Sequence, residues 1–230
     1  GRKYATVELV AEQSLRPLPD GADPDDPSSW GVPGSDYHYT RLPQPNANGW
    51  NTTPVAVQFF GGDFDSLTLA PANGDAAVSL ADRQTWTRAD DTDGYGVQIS
   101  AANSETGDVS SKRDDTIKID TSAPRLSLDP ALGALTADDR PSDPSKATSG
   151  VWRLHRTGAD GSVGSGRAAP REFPLADGAG AATQTVAGIA NGWYVAEDAA
   201  GNLSAPLKVS STEPPSVERP SGSLAGPGDP

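Results

Sequence analysis

The chain predicts an all-β protein made of two tandem β-sandwich modules, and three observations carry that reading. First, a motif recurs: IKIDTSAP at residues 117–124 and LKVSSTEP at residues 207–214. Each reads apolar, Lys, apolar, three mostly small polar residues, one further residue, Pro. The two prolines stand 90 residues apart, a span close to one sandwich. Second, each copy follows a strand-like run opened by Gly and an aromatic residue, GYGVQISAAN from Gly94 and GWYVAEDAAGN from Gly192. Third, 25 Gly and 21 Pro among 230 residues, with only 6% aromatics, suit short strands, many turns and small cores.

Taken in order, residues 4–13 (YATVELVAEQ) alternate, with Val7, Leu9 and Ala11 on one face, and are expected to form a strand. Residues 17–44 are dense in Pro, Asp, Gly and Ser, which excludes a helix. A long loop carrying Trp30 and Tyr37 as isolated anchors is expected there. Val55, Val57 and Phe59 then alternate after Pro54, and Leu67 with Leu69, Val78 with Leu80, and Trp86 mark three further short strands. Tyr95, Val97, Ile99 and Ala101 alternate cleanly, and Ile117 with Ile119 closes the first module. In the second, Leu126 with Leu128, then residues 151–156, 173–175, 183–186, 193–197 and 207–209, have strand character. A polar loop is expected over 138–149 and a flexible Gly/Ser hairpin tip over 158–166. The expected division is therefore an N-terminal strand and Pro/Asp-rich loop at 1–40, modules at 41–121 and 122–212, and a disordered Pro/Gly/Ser-rich tail at 213–230.

Charge narrows the partners. The net charge is −13, and residues 48–121 carry 5 basic against 12 acidic side chains, while residues 122–212 carry 8 against 9. A phosphate backbone is repelled by such a surface, so nucleic acid is not an expected partner. No apolar run reaches the roughly 18 residues of a membrane span, and no direct membrane insertion is expected. With neither an initiator Met nor a signal-peptide core, the sequence reads as part of a longer chain whose other domains are expected partners. Cysteine is absent, which excludes disulfide staples and thiolate metal sites.

The DAAGN motif at Asp198–Asn202 has a mechanical meaning. An Asp side chain accepts hydrogen bonds from the backbone N–H groups just ahead of it, while Gly and Asn tolerate positive φ, so the motif closes a tight hairpin. In the first module Asn103 takes the Asp position, and Gly107 and Asp108 the Gly-Asn position. Together with the opening GWNTTPVAVQF (residues 49–59) and the linker IDTSAP (residues 119–124), this hairpin resembles the immunoglobulin-like tandem repeats of bacterial extracellular and cell-surface proteins. The likeness covers residues 49–124 well and 125–214 less fully, because the second module lacks the Gly-Trp-Asn opening and the first lacks the standard DxAGN turn. It implies immunoglobulin-like sandwiches of about seven strands serving as spacer, stalk or adhesive modules, with no catalytic residues to carry across.

Sharper chemistries find less support in the residues. Asp90, Asp91 and Asp93 ahead of Gly94 look like half of a calcium loop. An EF-hand would need oxygen ligands at Ala89 and a Glu at Ser100. Asp23, Asp25 and Asp26, then Asp138, Asp139 and Asp143, and Asp114 and Asp115 near the linker residue Asp120, form further acidic groups; solvated loops account for each more simply. No cofactor is expected beyond calcium. Hydrolytic chemistry lacks a distinguished carboxylate pair, and a Ser–His–acid triad has only His38 and His155 to draw on. Sugar binding has better candidates in Trp30, Tyr37, Tyr39 and Trp193, of which Trp193 falls out of phase with the inward Tyr194, Ala196 and Asp198. Trp50, Trp86 and Tyr194 are expected in the cores. The reading is a non-enzymatic, extracellular adhesion or stalk segment whose partner is a glycan or a surface protein. The alternative is an accessory module of a secreted carbohydrate-active enzyme.

Overall fold

The computed structural model describes residues 16–17, 37–61, 64–110, 112–163 and 169–210, and among them every regular element is a strand. Residues 4–13, Trp30 and the tail beyond residue 210 lie outside the described residues. The described residues form fifteen strands in four sheets. The first pair of sheets is β1 (Arg16–Pro17), β2 (Tyr37–Leu42), β3 (Val55–Gly61) and β6 (Thr85–Arg88) facing β5 (Val78–Ala81), β4 (Ser66–Pro71), β7 (Thr92–Ala102) and β8 (Arg113–Ile119). The second pair is β13 (Thr183–Ala187), β10 (Ala134–Asp138) and β9 (Arg125–Asp129) facing β12 (Arg171–Glu172), β11 (Val151–Thr157), β14 (Gly192–Asp198) and β15 (Leu207–Val209).

The alternation that predicted the strands also fills the cores. Val55, Val57 and Phe59 from one sheet meet Leu67, Leu69, Val97, Ile99, Ala101, Ile117 and Ile119 from the other, all nearly solvent-free. Each of the larger of these side chains contributes on the order of 1.5–3 kcal/mol relative to an exposed one. The second core is thinner: Leu135, Leu154, Val186, Tyr194 and Val209 are buried, with Leu126, Leu128 and Phe173 half-covered against them. A module with so few large buried groups depends more heavily on whatever else its surface packs against.

Four expectations need correction. The stretch 17–44 is not a loop throughout, because Tyr37–Leu42 forms β2, paired antiparallel with β3 from Tyr37↔Gly61 to Leu42↔Ala56. Strand β10 lies where no strand was expected before the polar loop; its small Ala134 and Ala137 bury against the core with Leu135 between them. The strand expected at 173–175 is instead two residues, Arg171–Glu172, pairing with Leu154 and Arg153. Trp50 is buried, but not in the first module's own core. It joins Ala199 and Ala200 of the second module, with Trp152, Leu175 and Ala179 packed against them.

Candidate functional site: the module junction and its buried carboxylates

The loop between β2 and β3 is built to present Trp50. The Asn46 Oδ1 accepts hydrogen bonds from the N–H groups of Asn48 and Trp50, and the Asn46 N–H donates to the Trp50 carbonyl. Gly49 supplies the left-handed φ of +85° that the tight turn requires. Thus folded, the loop turns its remaining donors onto the second module. Asn46 Nδ2 reaches the Ala199 and Ala200 carbonyls at 2.9 Å each, and Asn48 Nδ2 reaches Ala199 at 2.9 Å. The indole Nε1 donates to the Gly178 carbonyl at 3.0 Å, and the Lys118 ammonium sits 5.5 Å over the Trp50 ring while donating to the Asp177 carbonyl. A Cβ on Gly178 would lie 2.5 Å from the Asn48 carbonyl oxygen, so only glycine permits this approach.

The DAAGN hairpin receives that loop. Asp198 Oδ1 accepts from the N–H groups of Gly201 (2.7 Å) and Asn202 (2.8 Å), and its Oδ2 from Asn202 Nδ2 (2.8 Å). Asn202 Nδ2 also donates to the carbonyl of Asp120 in the linker, tying the hairpin of one module to the exit of the other. The Asn103 turn of the first module repeats the device: its Oδ1 accepts from the Glu105 and Thr106 N–H groups. So the two motifs that each occur in one module only, Gly-Trp-Asn and DAAGN, are the two halves of one contact.

Three carboxylates lie within this junction: Asp120 after β8, Asp139 after β10 and Asp198 at the end of β14. All are essentially solvent-free, at 0%, 2% and 0% exposure. One oxygen from each lies within 4.8 Å of those from the other two. Asp120 Oδ1 and Oδ2 accept from the Ser122 and Ser149 N–H groups, and Asp139 Oδ2 accepts from Thr148 Oγ1 and the Gly150 N–H. Asp139 Oδ1 is buried and takes no hydrogen bond. Among the described residues none of the three has an ion-pair partner; the nearby Lys146 pairs instead with Asp91 at 3.4 Å.

At an effective dielectric near 20, two like charges about 5 Å apart repel by about 3 kcal/mol. Burial is the largest cause of the raised titrations, and this repulsion adds to it. Burial pushes Asp139 up to about 7, with Asp120 and Asp138 adding to the rise and the bonds from Thr148 and Gly150 opposing it. It pushes Asp198 up to about 7 as well, with Asp139 and Asp120 adding and Asn202 opposing. Burial also raises Asp120, against hydrogen bonds from Ser149 and Ser122 and with help from Asp91.

The residues singled out by sequence fall elsewhere. Tyr39 is 2% exposed within the first core under the Arg113 guanidinium, and burial pushes its phenol up to about 12; it offers no face to a sugar. Tyr37 lies on β2, and Trp30 is outside the described residues. Trp193 is half-buried on β14, opposite Thr157 and Lys208. Asp90, Asp91 and Asp93 do not converge: Asp90 pairs with Arg88, and Asp91 accepts from the Thr121 N–H and hydroxyl. In the sequence Asp120, Asp139 and Asp198 stand apart, in a linker, an acidic loop and a turn. Nothing in their spacing of 19 and 59 residues announces that they meet.

Among solved structures, the chain is similar to the fibronectin(III)-like modules of CbhA from Clostridium thermocellum, at 15% identity and a TM-score of 0.37, covering 74% of this chain and 91% of that one. It is also similar to a two-domain fibronectin type-III segment of chicken tenascin, at 12% identity and a TM-score of 0.33, covering 69% and 91%. No protein-family model and no curated protein matches the chain. The described residues themselves show an all-β chain of two paired-sheet modules in tandem.

Proposed function

We propose that this chain is a non-catalytic, extracellular two-module segment that acts as a stiff stalk or spacer, holding the other domains of its parent at a set distance. The observation that carries the reading is the junction. A spacer gains from a joint that does not hinge, and here a buried tryptophan, two asparagine side chains and one lysine of the first module all bond or pack onto the second. Relative motion is the default for domains joined only by small polar contacts, and a buried tryptophan at the joint opposes it. The acidic composition suits a well-solvated surface.

Adhesion is the competing use, and it requires a recognition face. Of the two aromatic candidates whose side chains are described, Tyr39 is buried and Trp193 retains some exposure, so a screen of the chain against glycans and surface proteins separates the two uses. The spacer reading expects no saturable ligand. A saturable ligand whose binding is lost on Trp193→Ala, with the fold intact by circular dichroism, would replace it with an adhesive or sugar-binding module.

A further inference from the structure

The trio of Asp120, Asp139 and Asp198 is more completely buried than ordinary surface acids, and the chain supplies it with no cationic side chain among the described residues. Its geometry is nevertheless well defined. Seven hydrogen bonds, from the N–H groups of Ser122, Ser149, Gly150, Gly201 and Asn202, the Thr148 hydroxyl and the Asn202 amide, hold the three carboxylates in place. Such outer contacts orient ligands ahead of a metal ion. One oxygen stands apart: Asp139 Oδ1 is buried without a hydrogen bond, on a carboxylate that faces the other two. A buried anionic oxygen left unpaired is costly unless something else meets it.

We propose that Asp120, Asp139 and Asp198 together bind a calcium ion that pins the linker and the first module onto the second. Hard carboxylate oxygens with no nitrogen or sulfur ligand among them select a hard cation. Three carboxylates buried among protein atoms suit calcium, which accepts a cage of protein oxygens, better than magnesium, which keeps several of its waters. Asp120 belongs to the linker, while Asp139 and Asp198 follow β10 and end β14, so one ion ties three separate segments together. The site is distinct from the acidic run at Asp90, Asp91 and Asp93, and it does not depend on the spacer reading.

The test uses the whole chain after treatment with chelator. Isothermal titration with calcium chloride is expected to show one saturable site, and the melting temperature to rise by about 5–10 °C when calcium exceeds its dissociation constant a hundredfold. Magnesium at the same concentration should give a distinctly smaller shift. Asp139→Asn should abolish the calcium shift, whereas Asp143→Asn, in an exposed turn, should leave it unchanged. Absence of heat and of any melting shift up to about 10 mM calcium would overturn the proposal, since extracellular modules bind in the range of 0.1–1 mM. A shift that survives Asp139→Asn would place the ion elsewhere, and an equal magnesium shift would refute the assignment to calcium. The wild-type isotherm decides the case even if the variant does not fold.

Discussion

Replacing Trp50 with alanine is expected to lower the unfolding free energy by about 3–5 kcal/mol and to split one melting transition into two. The size follows from the burial: the indole is 1% exposed, and its deletion leaves a cavity against Ala199, Ala200 and Trp152 that small residues cannot collapse to fill. It also strands the Gly178 carbonyl that the indole N–H satisfies. The splitting follows from where the residue sits. Loss of a core side chain weakens one module, whereas loss of Trp50 weakens the bond between two. The second module, with its thin core, should melt first. Scanning calorimetry of the wild type and of Trp50→Ala checks both parts. Phe59→Ala serves as the comparison, because Phe59 is equally buried but lies wholly within the first core. A Trp50→Ala melt that remains a single transition would mean that the junction is not what couples the modules.

The second large effect is on pH dependence. In chelator, stability is expected to fall as pH rises from about 4 to above 7. The sign is fixed by the direction of the shifts. Asp139 and Asp198 titrate near 3.8 when unfolded and near 7 when folded, so between those values the folded chain holds protons that the unfolded chain releases. Their contribution is most favourable below pH 4 and is lost as pH rises through about 7. One group shifted by about 3 units corresponds to about 4 kcal/mol; because the two repel each other and Asp120, their contributions are not simply doubled. Asp138, held down to about 2 by Arg140, and Asp65 and Asp143, lowered by serine hydrogen bonds, act in the opposite sense, but only below pH 4. Urea unfolding at pH 5 and pH 8 should therefore give a lower midpoint at the higher pH, and Asp139→Asn should flatten the difference. A midpoint that rises from pH 5 to pH 8 would contradict the account of the cluster.

Much of this architecture is legible in the residues. Tyr95, Val97, Ile99 and Ala101 alternate without interruption, and β7 buries each of them. The Asx-turn at Asp198 could be read because its chemistry is local: the acceptor and its donors are at most four residues apart. Strand β2 is concealed by the prolines and aspartates before it, and β10 by having alanine at two of its three buried positions and no β-branched residue there. Trp50 looked like a core residue because hydrophobicity predicts burial without saying against which module. The carboxylate trio could not be found from sequence, because its members meet only after the linker and two sheet ends have converged. An Asp that only closes a turn and an Asp that joins a buried cluster look alike as letters, and the fold alone tells them apart.

The central claim is that the two modules form one body, and the absence of cysteine allows a direct measurement. Spin labels placed at Ala76→Cys, in the exposed β4–β5 loop, and Leu132→Cys, in the exposed β9–β10 turn, report the distance between modules by double electron–electron resonance. The account predicts one narrow distance distribution in the wild-type background, broadened by Trp50→Ala. A broad or multiple distribution in the wild-type background, unchanged by Trp50→Ala, would mean that the modules hinge freely and that the junction does not set their arrangement.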